Sequence, residues 1–297
     1  MKFAFIHAHA RIWHVVTMCR VLEVSKAGYY AWRERPLCDR VKDDRVLTAQ
    51  IRKIQHQVKH RYGRPRVRME LKALGFAVGK HRVGRLMRAA QLNATHRPRF
   101  RVTTQSGHPH PIAPNVLDRQ FSLQRNPQLA RRDQVWAADI TYIPTREGWL
   151  YLAVVLDLAS RRVVGWALRT RLDQELALSA LRMALTHRRL RRGHPHRLHH
   201  SDRGVQYASR AYQQLLQEAG FTSSMSRVGD CWDNAVVESF FATVTKELLV
   251  DGQFATREQA SRALFEFLEI WYNRQRRHSS LGYRTPAEFE EEVLDVG

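Results

Sequence analysis

Three acidic residues stand where chemistry is most expected. Asp139 lies in Trp136-Ala137-Ala138-Asp139-Ile140-Thr141-Tyr142, Asp202 in His200-Ser201-Asp202-Arg203-Gly204-Val205-Gln206-Tyr207, and Glu238 in Asp233-Asn234-Ala235-Val236-Val237-Glu238-Ser239-Phe240-Phe241. Singly, each has an ordinary role: Asp139 ends a strand, Asp202 caps a turn, Glu238 sits part-solvated on a helix. Jointly those roles leave something unexplained, because all three occupy apolar or tight-turn surroundings. Positions 234, 235, 241 and 242, within a turn of Glu238, are Asn, Ala, Phe and Ala, so no basic residue pairs with it there. Three carboxylates brought together without cations repel one another unless a divalent ion screens them. Oxygen-only ligands select Mg²⁺ or Mn²⁺ over zinc. Two such ions about 3.5–4 Å apart clamp the attacking and leaving oxygens of an in-line phosphoryl transfer, with no side-chain nucleophile required.

Other candidate sites are weaker. His194, His196, His199 and His200 surround a proline turn and open a short strand, not an i, i+4 helical pair, and no cysteine is near in sequence, which disfavours zinc. Asp157 closes a strand beside Ser160 and Arg161 and reads as a turn cap. No P-loop, G-x-G-x-x-G or Ser-His-Asp spacing is present.

The elements that must position the acids follow from the pattern. Val135 to Ile143 reads as a strand, Thr145 to Gly148 as a turn, Trp149 to Leu158 as an almost unbroken apolar strand covered on both faces, and Arg161 to Arg169 as a third strand of an antiparallel meander. Asp173 caps a helix, Arg197 to Ser201 forms a strand ending at Asp202, Ser209 caps another helix, and Thr222 to Met225 is a last strand. Asp233 or Asn234 is the expected cap of the Glu238 helix, with Val236, Phe240, Val244 and Leu248 as its inward stripe, and a long helix runs from Arg257 to Arg274. Three strands followed by alternating helix and strand define an α/β core, with helices on both faces of a mixed sheet. Asp139 then lies on the first strand and Asp202 at the carboxyl end of the fourth, where ligands collect in open sheets.

Charge divides the chain. Residues 1–132 hold 28 Lys+Arg against 7 Asp+Glu, whereas residues 133–297 hold 21 against 21, so the whole net charge of +21 lies in the first part. Nucleic acid is the natural partner of such a segment, since no strongly amphipathic apolar face accompanies the charge. Residues 17–33 read as two short helices in a helix-turn-helix, the second capped by Ser25. Helices follow from Asp39 to His60, through Val67, Leu71 and Leu74 to a Gly75 stop, and from Lys80 to Gln91 with Val83, Leu86 and Met87 inward. Lys80, Arg82, Arg85 and Arg88 of the last form a cationic face suited to phosphate. The proline-containing stretch 94–132 loses periodicity and reads as a basic linker whose charges track a DNA backbone. The expected division is therefore 1–38 helix-turn-helix-like, 39–93 helical and DNA-binding, 94–132 linker, 133–253 catalytic core, and 254–297 helix and tail. Three dispersed cysteines argue against a disulfide framework, and with no secretory signal or 18-residue apolar run the expected location is the cytoplasm.

The blocks Trp136-x-x-Asp139-Ile140-Thr141-Tyr142, His200-Ser201-Asp202-x-Gly204-x-Gln206-Tyr207 and Asp233-Asn234-x-x-x-Glu238-Ser239-Phe240 resemble those of bacterial insertion-sequence transposases, specifically the second-reading-frame (OrfB) subunit of the insertion-sequence-three family. The likeness extends to Met18-Cys19-Arg20-Val21-Leu22, Gly28-Tyr29-Tyr30-Ala31-Trp32, Arg82-Val83-x-Arg85-Leu86-Met87 and the tail Tyr272-Asn273-x-x-Arg276-x-His278-x-x-Leu281-Gly282-Tyr283-x-Thr285-Pro286. It implies a ribonuclease H-like, retroviral-integrase-like core, with Asp139, Asp202 and Glu238 as catalytic metal ligands for two Mg²⁺ or Mn²⁺ ions. It also implies nicking at an element's end, then attack of the freed 3′-OH on another phosphodiester. The expected partners are terminal inverted repeats and target DNA, further copies of the chain in a synaptic complex, and a first-reading-frame (OrfA) product. DNA contacts are expected of Arg203, Asn234 and Lys246 as well. The family's basic residue seven positions after the glutamate is here Thr245, with Lys246 next, about 100° around the helix. The reading from another class is a DNA-binding regulator without catalysis.

Overall fold

The computed structural model describes residues 1–35, 38–92, 94, 111–122, 125–190, 197–227, 231–249 and 253–294. The chain divides into two compact units, Met1–Asn93 and Ala94–Gly297.

The first unit is all helical. α1 (Lys2–His9), α2 (Val15–Val21) and α3 (Lys26–Glu34) close around Ile6, Met18, Cys19 and Tyr29. Ser25 caps α3 as expected, its Oγ accepting from Gly28 N–H at 2.9 Å. The leading helix α1 was not foreseen, because its His-rich sequence has little amphipathic pattern. α4 (Asp39–Gln57), α5 (Arg64–Ala73) and α6 (Lys80–Ala89) bury Leu47, Ile51, Ile54, Val67, Leu71, Val83, Leu86 and Met87. Gly75 ends the α5 turn at φ +87°, a conformation open to glycine at little cost.

The second unit is built on one five-stranded sheet in the order β3-β2-β1-β4-β5. β1 (Val135–Thr145), β2 (Gly148–Asp157) and β3 (Val163–Arg169) form the antiparallel meander. β4 (Arg197–Ser201) pairs parallel with β1, and β5 (Phe221–Met225) parallel with β4. The connections are α7 (Gln174–Arg188) and the pair α8 (Val205–Ala208) and α9 (Arg210–Glu218), of which α7 and α9 are capped by Asp173 and Ser209 as expected. α10 (Ala235–Glu247), α11 (Arg257–Phe265) and α12 (Pro286–Phe289) complete the unit. The helix expected over 257–274 changes to π-helical winding at Glu266–Tyr272.

α7 lies close on β3 because Gly165 has no side chain. A Cβ there would stand 2.2 Å from Ala180 O and 2.6 Å from Ala184 N, both backbone atoms that cannot swing aside. Gly165→Ala should therefore destabilise the protein by roughly 1–3 kcal/mol through overpacking, read from the urea midpoint; an unchanged midpoint would contradict this packing.

Two segments belong to the core more than their composition indicated. Part of the expected linker, 111–122 and 125–132, packs as a strap that buries Leu117 and Leu129. Val116 and Leu117 N–H groups donate to Ser224 Oγ on β5 at 2.9 and 3.2 Å, and Met225 N–H donates to Pro114 O. These contacts cover an edge strand that would otherwise be open to pairing. The described part of the expected linker is thus packed on the core; of its basic residues Arg119 is engaged with Asp233, whereas Arg125, Arg131 and Arg132 are exposed, and 95–110 lies outside the described residues. The tail is anchored by Glu290, 2% exposed, which accepts from Ser160 Oγ and Arg162 Nη1 at 2.7 Å and from both Arg188 Nη atoms. Burial alone would raise that carboxyl, yet these partners hold it below its ordinary value. Glu290→Ala leaves buried Arg188 with Asp133, 3.1 Å from its Nε, as its remaining ion-pair partner and should cost roughly 1–3 kcal/mol, measured by equilibrium unfolding; no measurable loss, as at many exposed pairs, would mean the anchor is slack.

Candidate active site

Asp139 occupies the middle strand of the sheet. Its register partner on β2 is Val154, and its neighbour Ala138 pairs with Ser201, the last residue of β4. The parallel β1–β4 pairing therefore brings Asp202, the next residue, to the level of Asp139. Asp202 is held by its own turn, Gly204 N–H donating to its Oδ1 at 2.9 Å. Asp139 Oδ1 accepts from Ile140 N–H at 2.7 Å.

Glu238 arrives on α10. The buried residues of α10 are Val237, Phe240, Phe241, Val244 and Glu247; of the expected stripe Phe240 and Val244 are buried, whereas Val236 and Leu248 are half-buried. The expected side-chain cap is absent, for Asn234 precedes the helix without capping it. Asp233 instead serves as a buried anchor. It accepts from Arg227 Nε and Nη2 (2.9 and 2.8 Å), Arg119 Nε (2.8 Å) and Asn115 Nδ2 (2.8 Å), and Arg227 holds its carboxyl far below the ordinary range. Asn234, also buried, donates from Nδ2 to Ala138 O at 3.5 Å. The start of α10 is thereby tied to the strand residue preceding Asp139, which sequence reading missed because such partners lie about a hundred residues apart.

The three acids share one electrostatic neighbourhood. Asp139 is 8% exposed, and its carboxyl is pushed well above the usual range by burial, then by the charge of Asp202, with Glu238 adding to the same effect against the Ile140 hydrogen bond. Burial also raises Glu238. Tyr207, wholly buried beneath the site, is raised well above its ordinary value by burial and the neighbouring Tyr212, with smaller contributions from Asp139 and Asp202. Among the described residues, no three His, Cys, Asp or Glu side chains form a ready-made cage for one ion. The donor set is oxygen only, and its unfavourable charge is what a divalent ion would relieve.

The histidines flanking Asp202 have structural tasks. His200 Nδ1 and Nε2 lie 2.9 and 3.2 Å from Ser224 and Ser226 Oγ, and His199 Nε2 lies 3.0 Å from Tyr212 OH. Burial pushes them down to about 4 and about 3, so both are neutral core residues. His194 and His196 lie outside the described residues.

The expected DNA contacts divide. Arg82 Nε and Arg85 Nη2 donate to the two oxygens of Asp44 on α4 at 2.7 and 2.6 Å, so they brace the helical group instead of standing wholly open to phosphate; Lys80 and Arg88 are exposed. Arg203 Nε donates to Ser226 O, and buried Asn234 is a tether, which corrects its expected place at a DNA surface. Lys246 is exposed, whereas Thr245 turns its hydroxyl back onto Phe241 O at 2.9 Å.

A mixed sheet in this order, with acids on its middle strand, at the end of the adjoining strand and on a covering helix, is the arrangement of an integrase core, ribonuclease H-like in fold. The family models agree: an integrase core domain matches residues 130–231 and a second integrase core model matches 219–286, while an HTH-like domain matches 42–100, over α4–α6. A 31 kDa protein of insertion element IS600 from Shigella sonnei is 40% identical over 92% of this chain and 97% of its own length. The transposase InsF for insertion sequence IS3A of Escherichia coli K12 is 38% identical over 99% of this chain and all of its own. Among solved structures, a simian T-cell lymphotropic virus intasome in complex with PP2A regulatory subunit B56 gamma aligns over 81% of this chain and 74% of that one, with 15% identity and a TM-score of 0.43. The chain belongs to the IS3 family of insertion-sequence transposases. It is a DNA transposase with an HTH-like helical region and an integrase core. No helix among the described residues is long and apolar enough to cross a membrane.

Proposed function

We propose that Asp139, Asp202 and Glu238 are the catalytic acids of this transposase, and that they cut the ends of the element and join the freed 3′-OH to target DNA. The observation that carries this is the cost of the arrangement: a buried carboxylate on the middle strand faces two others, and its hydrogen-bond support comes from one backbone N–H. Folding alone has no use for such a group, which persists where a ligand relieves it. The three side chains would hold Mg²⁺ or Mn²⁺, two ions in all, which when bound would neutralise charge on the attacking and leaving oxygens of the phosphodiester.

The chain's own contribution is placement. The Ile140 N–H fixes one oxygen of Asp139 and the Gly204 N–H one oxygen of Asp202, which sets the orientation of both carboxylates. Asn234 ties α10 to β1, so Glu238 approaches a fixed strand. Lys80 and Arg88 supply charge for phosphate contacts outside the core, and Lys246 takes that role on α10. Copies of the chain would pair two element ends in a synaptic complex, with a first-reading-frame product, separate or fused, sharing end recognition.

The test is a short duplex carrying the element's terminal repeat, incubated with the full chain and Mg²⁺ or Mn²⁺. Nicked and joined products are expected, and chelation of the metal should abolish both. Cutting without joining would mark a simple hydrolase; binding without either product would mark a regulator of transposition.

A further inference from the structure

The helix that carries Glu238 is gripped from behind by the C-terminal segment. With 100° between successive helical residues, Phe240, Thr243 and Glu247 lie about 200°, 140° and 180° around α10 from Glu238, on the opposite side of the helix. Each meets the tail. The Tyr272 ring stands edge-on to Phe240 with centroids 4.8 Å apart, and Arg276 Nη2 donates to Thr243 Oγ1 at 3.4 Å. Glu247 accepts from Trp271 Nε1 at 2.9 Å and from Arg276 Nε and Nη2 at 3.0 and 2.9 Å. Arg276 Nη1 lies 3.3 Å from His278 Nε2, whose ring packs edge-on to Tyr272. The Glu247 and Arg276 side chains are 9% and 7% exposed.

We propose that Trp271, Tyr272 and Arg276 are positioning residues that set the rotation and height of α10 and so aim the Glu238 carboxylate; this rests on the reading of Glu238 as a metal ligand. A buried ion pair is a poor way to add stability, since apolar residues of similar volume do as well or better, but it does enforce one register. The sheet side of α10, with Val237, Phe241 and Val244, offers apolar contact that tolerates slippage. A 20° rotation would carry a side-chain terminus about 6 Å from the axis through roughly 2 Å. Productive catalytic geometry is held to about 0.5 Å. The directional bonds to Glu247 and Thr243 remove that freedom.

The test uses the full chain and compares Trp271→Phe, which keeps the apolar ring but loses the donor to Glu247, with Arg276→Lys and with Glu238→Gln. Four quantities are read: the metal-free melting temperature, affinity for the terminal-repeat duplex, Mn²⁺ affinity by electron paramagnetic resonance, and the strand-transfer rate at several Mn²⁺ concentrations. Trp271→Phe should lower the melting temperature modestly, through the lost buried hydrogen bond, and keep DNA affinity close to the parent, while Mn²⁺ affinity and rate, read well below the melting temperature, fall by about 10-fold or more, as for losses of outer-shell support, and extra Mn²⁺ should restore part of the rate. Arg276→Lys should show the same split, so the proposal does not depend on one variant folding. Unchanged Mn²⁺ affinity in both folded variants, with rates that follow only melting temperature, would overturn the brace. Parental Mn²⁺ affinity and rate in Glu238→Gln would instead overturn the underlying assignment.

Discussion

Glu238→Gln should leave binding to terminal-repeat DNA within about twofold of the parent and lower both strand cleavage and strand joining by roughly 10³-fold or more, the scale of losing one preorganised charge-stabilising group. The substitution changes one oxygen to an amide nitrogen and leaves the shape of α10 intact. Glu238 is not used to hold the fold: its helix is fixed by Val237, Phe240, Phe241 and Val244 inside, by Asn234 at one end and by Glu247 at the other. A loss confined to chemistry is therefore expected, with the melting temperature little changed. Gel-shift titration and a product assay on the same preparation measure the two quantities. Retained cleavage would remove Glu238 from the mechanism; lost binding would give it a different task.

Asp139→Asn should abolish the chemistry to a similar degree while making the metal-free protein more stable at neutral pH. The sign follows from proton linkage. The folded state raises the Asp139 carboxyl well above its ordinary value, so above about pH 4 the folded protein retains a proton that the unfolded chain has released, and stability is lost as pH rises through this window. Asparagine does not ionise and escapes that loss. The two proteins should therefore melt together near pH 4 and separate as pH approaches 7, with the variant higher; each tenfold displacement of the proton equilibrium corresponds to about 1.4 kcal/mol. Divalent ion should reverse the order, since binding to the folded parent adds about 2.7 kcal/mol at 100 times the dissociation constant. Thermal melts across pH, with and without Mg²⁺, read both effects. A variant less stable than the parent at pH 7 without metal would show that Asp139 has a compensating partner.

The strands were legible because burial on both faces writes itself as continuous apolar runs, as in Leu150 to Leu156, and because each acid sits where such a run ends or is interrupted. The α10 stripe was legible at Phe240 and Val244, while its ends, Val236 and Leu248, are only half-buried and Val237 and Phe241 are buried beside it. What sequence reading lost was the long-range polar bonding. Residues 111–132 look like a linker because they have prolines, charge and no period, yet their binding to the core rests on Ser224, Asp233 and buried Leu117 and Leu129. Arg82 and Arg85 look free on a helical wheel because Asp44 is some forty residues away. The tail motif around Tyr272, Arg276 and His278 was visible as a pattern, but its grip on the back of α10 required the fold.

These placements lead from sheet order to chemistry. β1 and β4 must pair in parallel to bring Asp202 beside Asp139, α7 must lie close on Gly165 to cover the meander, and α10 must be held at both ends for Glu238 to reach the same neighbourhood. The strap and the Glu290 anchor then stabilise that arrangement from the edges.

The most direct measurement is the anomalous scattering of Mn²⁺ in crystals of the full chain with terminal-repeat DNA. The account predicts manganese density held by Asp139, Asp202 and Glu238, against the phosphate to be cut. Manganese found elsewhere, with the three carboxylates turned apart and the DNA end away from β1, would contradict it.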